Sequence, residues 1–170
     1  MGAGCVLGAG SILRAHASLL HCVAGASVVL QLPQTLPTLR ADADRLTQVL
    51  LNLLSNAAKY APRGAGRVQL RLKDETDGIT VEVQDNGPGI AQDQQAMVFE
   101  KFRQVAGDDH YRPGGTGLGL PISRQIVEHF GGHMWLQSSA GQGAVFGFFL
   151  PRQNTGHEGP VSVASDTPAT

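Results

Sequence analysis

Between Leu46 and Ala57, apolar residues recur at helical spacing: Leu46, Val49, Leu50, Leu53, Leu54 and Ala57 fall on one broad arc. Gln48, Asn52, Asn56 and Lys59 fall on the other side. Asp42 or Asp44 offers an N-cap, and Pro62 and Gly64 bring the pattern to a stop, so a long amphipathic helix is predicted up to Tyr60. Downstream the period changes to two. Val68, Leu70 and Leu72 alternate with polar residues over 67–73, as do Ile79, Val81 and Val83 over 79–83, with Asp77-Gly78 between them as a turn signal. This predicts a hairpin with one buried face. Residues 121–130 read as a helix with Pro121 in its first turn and Gly131-Gly132 at its end. Residues 134–137 and 144–150 read as a second strand pair. Upstream, 27–32 suits a strand ending at Pro33, 34–40 an extended connector, and 11–25 a short helix. Residues 91–113 are polar and irregular apart from Phe99 and Phe102, and read as a mobile loop.

These elements predict an α/β (α+β) two-layer sandwich: a mixed, mostly antiparallel sheet with about three helices on one face. The 170 residues fit one domain, expected over 11–152. Residues 1–10 read as a poorly ordered lead-in. Residues 153–170 contain no Leu, Ile or aromatic residue and read as a disordered tail or linker.

Charge narrows the partners. A net charge of -1 provides no electrostatic footprint for nucleic acid or an anionic membrane. No apolar run reaches the ~20 residues needed to cross a bilayer. Cys5 and Cys22 do not make a disulfide framework in a chain of this size, which favours a reduced, cytoplasmic compartment.

The candidate chemistry lies on the amide face of the long helix and in two glycine-rich loops. An Asn oxygen is a hard ligand suited to Mg²⁺, and Lys59, one turn on from Asn56, can reach phosphate as a point charge. Taken alone, that face is also compatible with an incidental polar surface. Asp85-Asn86-Gly87-Pro88-Gly89-Ile90 places a carboxylate at a strand end before a Gly-x-Gly turn, where it could accept from an exocyclic amine such as adenine N6. The same string also makes a plain turn. Gly114-Gly115-Thr116-Gly117-Leu118-Gly119-Leu120 opens onto a helix, whose free N–H groups attract phosphate. It follows a polar loop, not a strand, and lacks a Lys-Ser or Lys-Thr pair, which excludes Rossmann and P-loop readings. Phe99 and Phe102 either both anchor their loop to the core or hinge a lid, with Arg103 or Gln104 near a terminal phosphate.

In this order the segments resemble the ATP-binding catalytic domain of bacterial sensor histidine kinases, in the superfamily of gyrase, the Hsp90 chaperones, histidine kinases and the MutL repair proteins. The resemblance covers about residues 38–151. Asn52 to Tyr60 is similar to the family's N box, Asp85 to Ile90 to its first glycine box, Phe99 to Gln104 to its F box, and Gly115 to Leu120 to its second glycine box. It implies the Bergerat-type ATP-binding fold and the cofactors ATP and Mg²⁺. Asn56 would ligate Mg²⁺, Asn52 would support it or the phosphates, and Lys59 would bind phosphate. Tyr60 would pack on the adenine and Asp85 hold its N6 amine, with Gly87, Gly89, Ile90 and Phe102 lining the site. Gly115, Thr116, Gly117, Leu118, Gly119 and Leu120 would close over the phosphates. Asn52, Lys59, Gln104 and Thr116 would serve the transfer step.

In the gyrase, Hsp90 and MutL branches the position matching Asn52 is a Glu that activates water. An amide cannot take that proton. The resemblance therefore implies transfer of the γ-phosphoryl group to an acceptor histidine on a separate dimerisation domain, and thence to a response regulator receiver domain. Neither His16-Ala17-Ser18 nor His21-Cys22-Val23 carries the acidic residue and proline that follow the family's acceptor histidine. A cytoplasmic module is implied, whether its parent protein is soluble or attached to the inner membrane. Two other functions stay open: a nucleotide-binding regulatory module without transfer, and a serine kinase of the anti-sigma-factor type.

Overall fold

A computed structural model describes residues 26–37, 39, 41–103 and 116–152. The expected lead-in, the helix at 11–25, Gln104, Gly115 and the tail at 153–170 lie outside the described residues. So does the part of the predicted loop from 104 to 113.

In chain order the elements are strand β1 (Ala26–Gln31), helix α1 (Ala43–Tyr60), strands β2 (Gly66–Asp74) and β3 (Gly78–Asp85), helix α2 (Gly119–His129), and strands β4 (His133–Ser138) and β5 (Ala144–Pro151). Two single 3₁₀ turns, Gln92–Gln94 and Met97–Phe99, interrupt what the sequence presented as an irregular loop. A three-residue turn is too short to leave a periodic signature. The five strands form one sheet in the order β1-β2-β3-β5-β4. β1 runs parallel to β2 and every other pair is antiparallel, so the sheet is mixed and mostly antiparallel as expected.

The predicted apolar arc of α1 is the buried face: Leu46, Val49, Leu50, Leu53, Leu54 and Ala57 are all buried. They meet Val68, Leu70 and Leu72 of β2, Ile79, Val81 and Val83 of β3, and Phe146, Phe148 and Leu150 of β5 in a single core. Each fully buried aliphatic or aromatic side chain contributes roughly 1.5–3 kcal/mol. The pairing of Val81 with Phe148 and of Val83 with Phe146 keeps the apolar phase of adjacent strands on this one face. Glu82 lies on the opposite face, paired with Arg71 at 3.0 Å and Lys73 at 2.9 Å.

The helix ends are set locally. Of the two candidate caps, Asp42 is the one used: its carboxylate accepts from the N–H groups of Asp44 (2.9 Å) and Arg45 (3.1 Å). Ala61 is extended, as a residue before proline prefers, and it ends α1. α2 begins at Gly119, two residues earlier than the proline suggested. Pro121 therefore sits in the first turn, where its missing N–H costs nothing.

Candidate functional site

The site is built across α1. Asn52, Asn56, Lys59 and Tyr60 are half-buried, whereas Gln48, which the sequence placed on the same side, is exposed, as is Ser55. From Asn52 to Tyr60 the helix rises ~12 Å, at ~1.5 Å per residue. That length is bounded at the Tyr60 end by the first glycine loop and at the Asn52 end by the second.

At the Tyr60 end, β3 runs on to Asp85 instead of stopping short of it. Asp85 continues the inward phase of Ile79, Val81 and Val83 and pairs with Ala144, which places a carboxylate where a core side chain would stand. It is only 5% exposed. Its Oδ1 accepts from the Gly87 N–H at 2.8 Å. Burial pushes the Asp85 carboxyl above its ordinary range, and the amides of Gly87 and Ala144 draw it partly back. Gly87 passes directly over the end of α1: a Cβ there would stand 2.6 Å from the Tyr60 carbonyl and 2.8 Å from Asp85 Oδ1. Only glycine lets the chain lie so close. Burial also raises the Tyr60 hydroxyl and lowers the Lys59 ammonium, whose Nζ lies 5.5 Å from the Tyr60 ring centroid.

At the other end, the Asn52 amide nitrogen donates to the Gly119 carbonyl (3.3 Å) and to Ser123 Oγ (3.1 Å), which joins α1 to the start of α2. The second glycine loop thus comes to the helix that carries the amides. Asn56 lies one turn from Asn52 on the same side. Its carboxamide has no hydrogen-bond partner among the described residues, which leaves its oxygen available to a hard cation.

The two phenylalanines of the intervening segment part company. Phe99 packs on the core, edge-on to Phe146 at 6.4 Å and with the Arg124 guanidinium 5.5 Å from its centroid. Phe102 is 74% exposed and has a φ of 62°, which is strained for a bulky residue. Its N–H donates to the Gly117 carbonyl at 3.1 Å, so the residues on either side of 104–115 are joined. The anchoring role therefore belongs to Phe99 alone. Thr116 is exposed, Leu118 is half-buried, and Ile90 and Leu120 turn their side chains to the core. Gly89 packs against the turn between β4 and β5.

That turn is the part of the site the sequence did not disclose. Ser138 Oγ accepts from the Ile90 N–H (2.8 Å) and donates to the Gly143 carbonyl (2.6 Å). Gln95 Nε2 donates to the carbonyls of Ile90 (3.0 Å) and Ser138 (2.9 Å). Gly143, at a φ of 76°, lies against the Asp85 carbonyl so closely that any Cβ would collide with it. Asn86 completes the support, accepting from the Arg67 N–H at 2.7 Å and donating to the Ala65 carbonyl at 2.9 Å. The Gly141-Gln142-Gly143 string before β5 was the available signal for this wall. Ser138→Ala is expected to leave the Ile90 amide and the Gly143 carbonyl short of a partner, at a cost of ~1–3 kcal/mol. Urea denaturation checks this; wild-type stability would remove Ser138 from the support.

A profile of the histidine kinase-, DNA gyrase B- and HSP90-like ATPase family matches residues 41–154. The chain belongs to that family. Its ligand is accordingly ATP. Among curated proteins it is similar to the circadian input-output histidine kinase CikA of Synechococcus elongatus, at 44% identity over 124 residues, covering 73% of this chain and 16% of CikA. The alginate biosynthesis sensor protein KinB of Pseudomonas aeruginosa is 38% identical over 125 residues, covering 74% of this chain and 20% of KinB. Among solved structures, the mycobacterial sensor histidine kinase MprB superposes with a TM-score of 0.75 at 29% identity, over 84% of this chain and 93% of that one. Full-length ShkA in complex with AMPPNP superposes with a TM-score of 0.74 at 30% identity, over 89% of this chain and 31% of ShkA. The chain spans less than a quarter of the length of CikA and KinB. No helix among the described residues is long and apolar enough to cross a membrane.

Proposed function

We propose that this domain is the cytoplasmic catalytic module of a two-component sensor kinase, binding Mg-ATP and delivering the γ-phosphoryl group to a histidine on a separate acceptor domain. From there the group would pass to an aspartate of a response regulator receiver domain. The observation that carries this reading is the amide at position 52, held by Gly119 and Ser123 and unable to take a proton from water. A site that binds ATP without a base for water favours transfer over hydrolysis. The similarity to proteins named as sensor kinases points the same way.

In this reading Asp85 accepts from the adenine N6 amine, with Gly87 and Gly89 admitting the ring beside backbone and Tyr60 packing on it. Lys59, at the same end of α1 as Tyr60, neutralises phosphate charge. Asn56 supplies the protein oxygen for magnesium and Asn52 supports it. The metal, once held, would spread the charge that develops on the transferring oxygens. The chain's own part is to bind, to align and to keep a hydrolytic base out. Gln104, Gly115 and Thr116 are proposed to act at the terminal phosphate, with Gly117, Leu118, Gly119 and Leu120 forming the loop beside it and Phe102 at its root.

The test is transfer of label from γ-labelled ATP to an added histidine acceptor domain. Label lost in acid and retained in alkali is the expected result, because phosphohistidine is acid-labile. ATP binding without labelling would favour a regulatory module. Acid-stable label would favour a serine kinase.

A further inference from the structure

Ser123 is fully buried, at 0% exposed, on the inward side of α2. Its buried neighbours on that helix are Pro121, Ile126 and Val127, so a hydroxyl there is not needed for packing. Its Oγ accepts from Asn52 Nδ2 at 3.1 Å, while the same nitrogen donates to the Gly119 carbonyl at 3.3 Å. A carboxamide nitrogen has two hydrogens, and both are taken. The Gly119 carbonyl can only accept, which decides how the amide stands: the nitrogen bonds α2, and Oδ1 is left to accept from elsewhere.

We propose that Ser123 is a positioning residue of the nucleotide site, which with the Gly119 carbonyl occupies both amide hydrogens of Asn52 and leaves that side chain an acceptor only. The inference rests on the reading above that Asn52 belongs to the ATP site. An acceptor-only amide repels an unshielded phosphate oxygen, since it has no hydrogen left to offer. It attracts donors and cations: a metal-bound water or an ammonium group. Asn52 so held favours the magnesium complex of ATP over the bare nucleotide, and Ser123 is what holds it. Without the hydroxyl one Nδ2 hydrogen is released, and the amide is free to turn toward phosphate.

The consequence separates positioning from packing. A packing defect at Ser123 would weaken ATP in both metal states, whereas loss of the acceptor-only amide weakens the magnesium complex and does not weaken the bare nucleotide. Calorimetric titration of the full chain with ATP is compared in excess magnesium and in chelator. Ser123→Ala is expected to weaken the magnesium complex about fivefold to tenfold, the worth of one ordinary hydrogen bond, with no loss of binding in chelator, where the released hydrogen can only help. Ser123→Cys, of nearly the same size but a poor acceptor, is expected to show the same loss. It also serves as the test variant if the alanine form does not fold. In an Asn52→Ala background the Ser123 substitution is expected to add nothing, because the two act as one unit.

Equal losses with and without magnesium, full recovery in Ser123→Cys, or additive losses in the double variant would each overturn the positioning role. Magnesium that tightens ATP in the wild type and equally in Ser123→Ala also sinks it, while leaving the reading of the site intact. A wild-type protein that binds ATP without regard to magnesium overturns the metal reading itself, and the role of Ser123 with it.

Discussion

Asn56→Ala is expected to abolish the magnesium-dependent part of ATP binding. Asn56 lies one turn beyond Asn52 on the half-buried face of α1, and its carboxamide has no described partner that would hold it in a structural role. Asn is a poor helix former in a helix interior, so its place there calls for a reason outside the helix. Mg²⁺ keeps most of its waters and takes one or two protein oxygens beside nucleotide phosphates, so deleting the protein oxygen removes much of what the domain contributes. Losing even a supporting partner of a metal site costs ~10–100-fold in affinity, and a direct ligand should cost at least that. The fold should be untouched, since the side chain belongs to neither the core nor the helix cap. Calorimetric titration with ATP in magnesium decides it: unchanged affinity in the variant would remove Asn56 from the metal.

Asp85→Asn is expected to move binding and stability in opposite directions. The carboxylate is the acceptor proposed for the adenine N6 amine. Losing its charge should weaken ATP about tenfold or more, as hydrogen bonds to charged groups are worth ~1.5–3 kcal/mol. GTP, which has no amine at that position, should lose much less. Equal losses for the two nucleotides would count against base recognition. Stability should rise at neutral pH. Burial raises the Asp85 carboxyl above its ordinary value of 3.8, so the folded state favours its protonated form. That contribution is fully present below the ordinary carboxylate pKa and is lost as pH rises through the raised one. Above that window the wild type carries a buried charge that the amide variant lacks. The melting temperature of Asp85→Asn should therefore exceed that of the wild type near neutrality, and the gap should close on acidification. A gap that stays constant with pH would show that the charge is not what separates them.

The sequence and the structure agree most closely where one local rule governs many residues. The arc of α1 was legible because helical periodicity places Leu46, Val49, Leu50, Leu53, Leu54 and Ala57 together whatever surrounds them. The β2–β3 hairpin was legible because alternation and a turn signal leave little other arrangement. Asp85 was visible as a carboxylate at a strand end. Its unusual position showed only once β3 was seen to continue through it, at the inward phase and against Ala144.

The supporting walls of the site were not legible. Ser138, Gly143, Gln95 and Asn86 act through hydrogen bonds and close approaches that join segments far apart in the chain, and no local pattern distinguishes such a serine from any other. Ser123 is the clearest case, since its partner Asn52 lies on another helix. Phe99 and Phe102 look interchangeable in sequence. One reaches Phe146 and the other faces solvent, because the backbone turns to a positive φ at Phe102 itself and the Gly117 carbonyl accepts from its N–H.

By itself, then, the order of residues determined the helices, strands and glycine loops that the structure describes, and the chemical groups the site would contain, because these follow from periodicity and side-chain chemistry. Tertiary structure alone decided which of those groups meet, which way the Asn52 amide stands and how far Asp85 is withdrawn from water. Such outcomes depend on distances between elements, and spacing along a chain does not encode them.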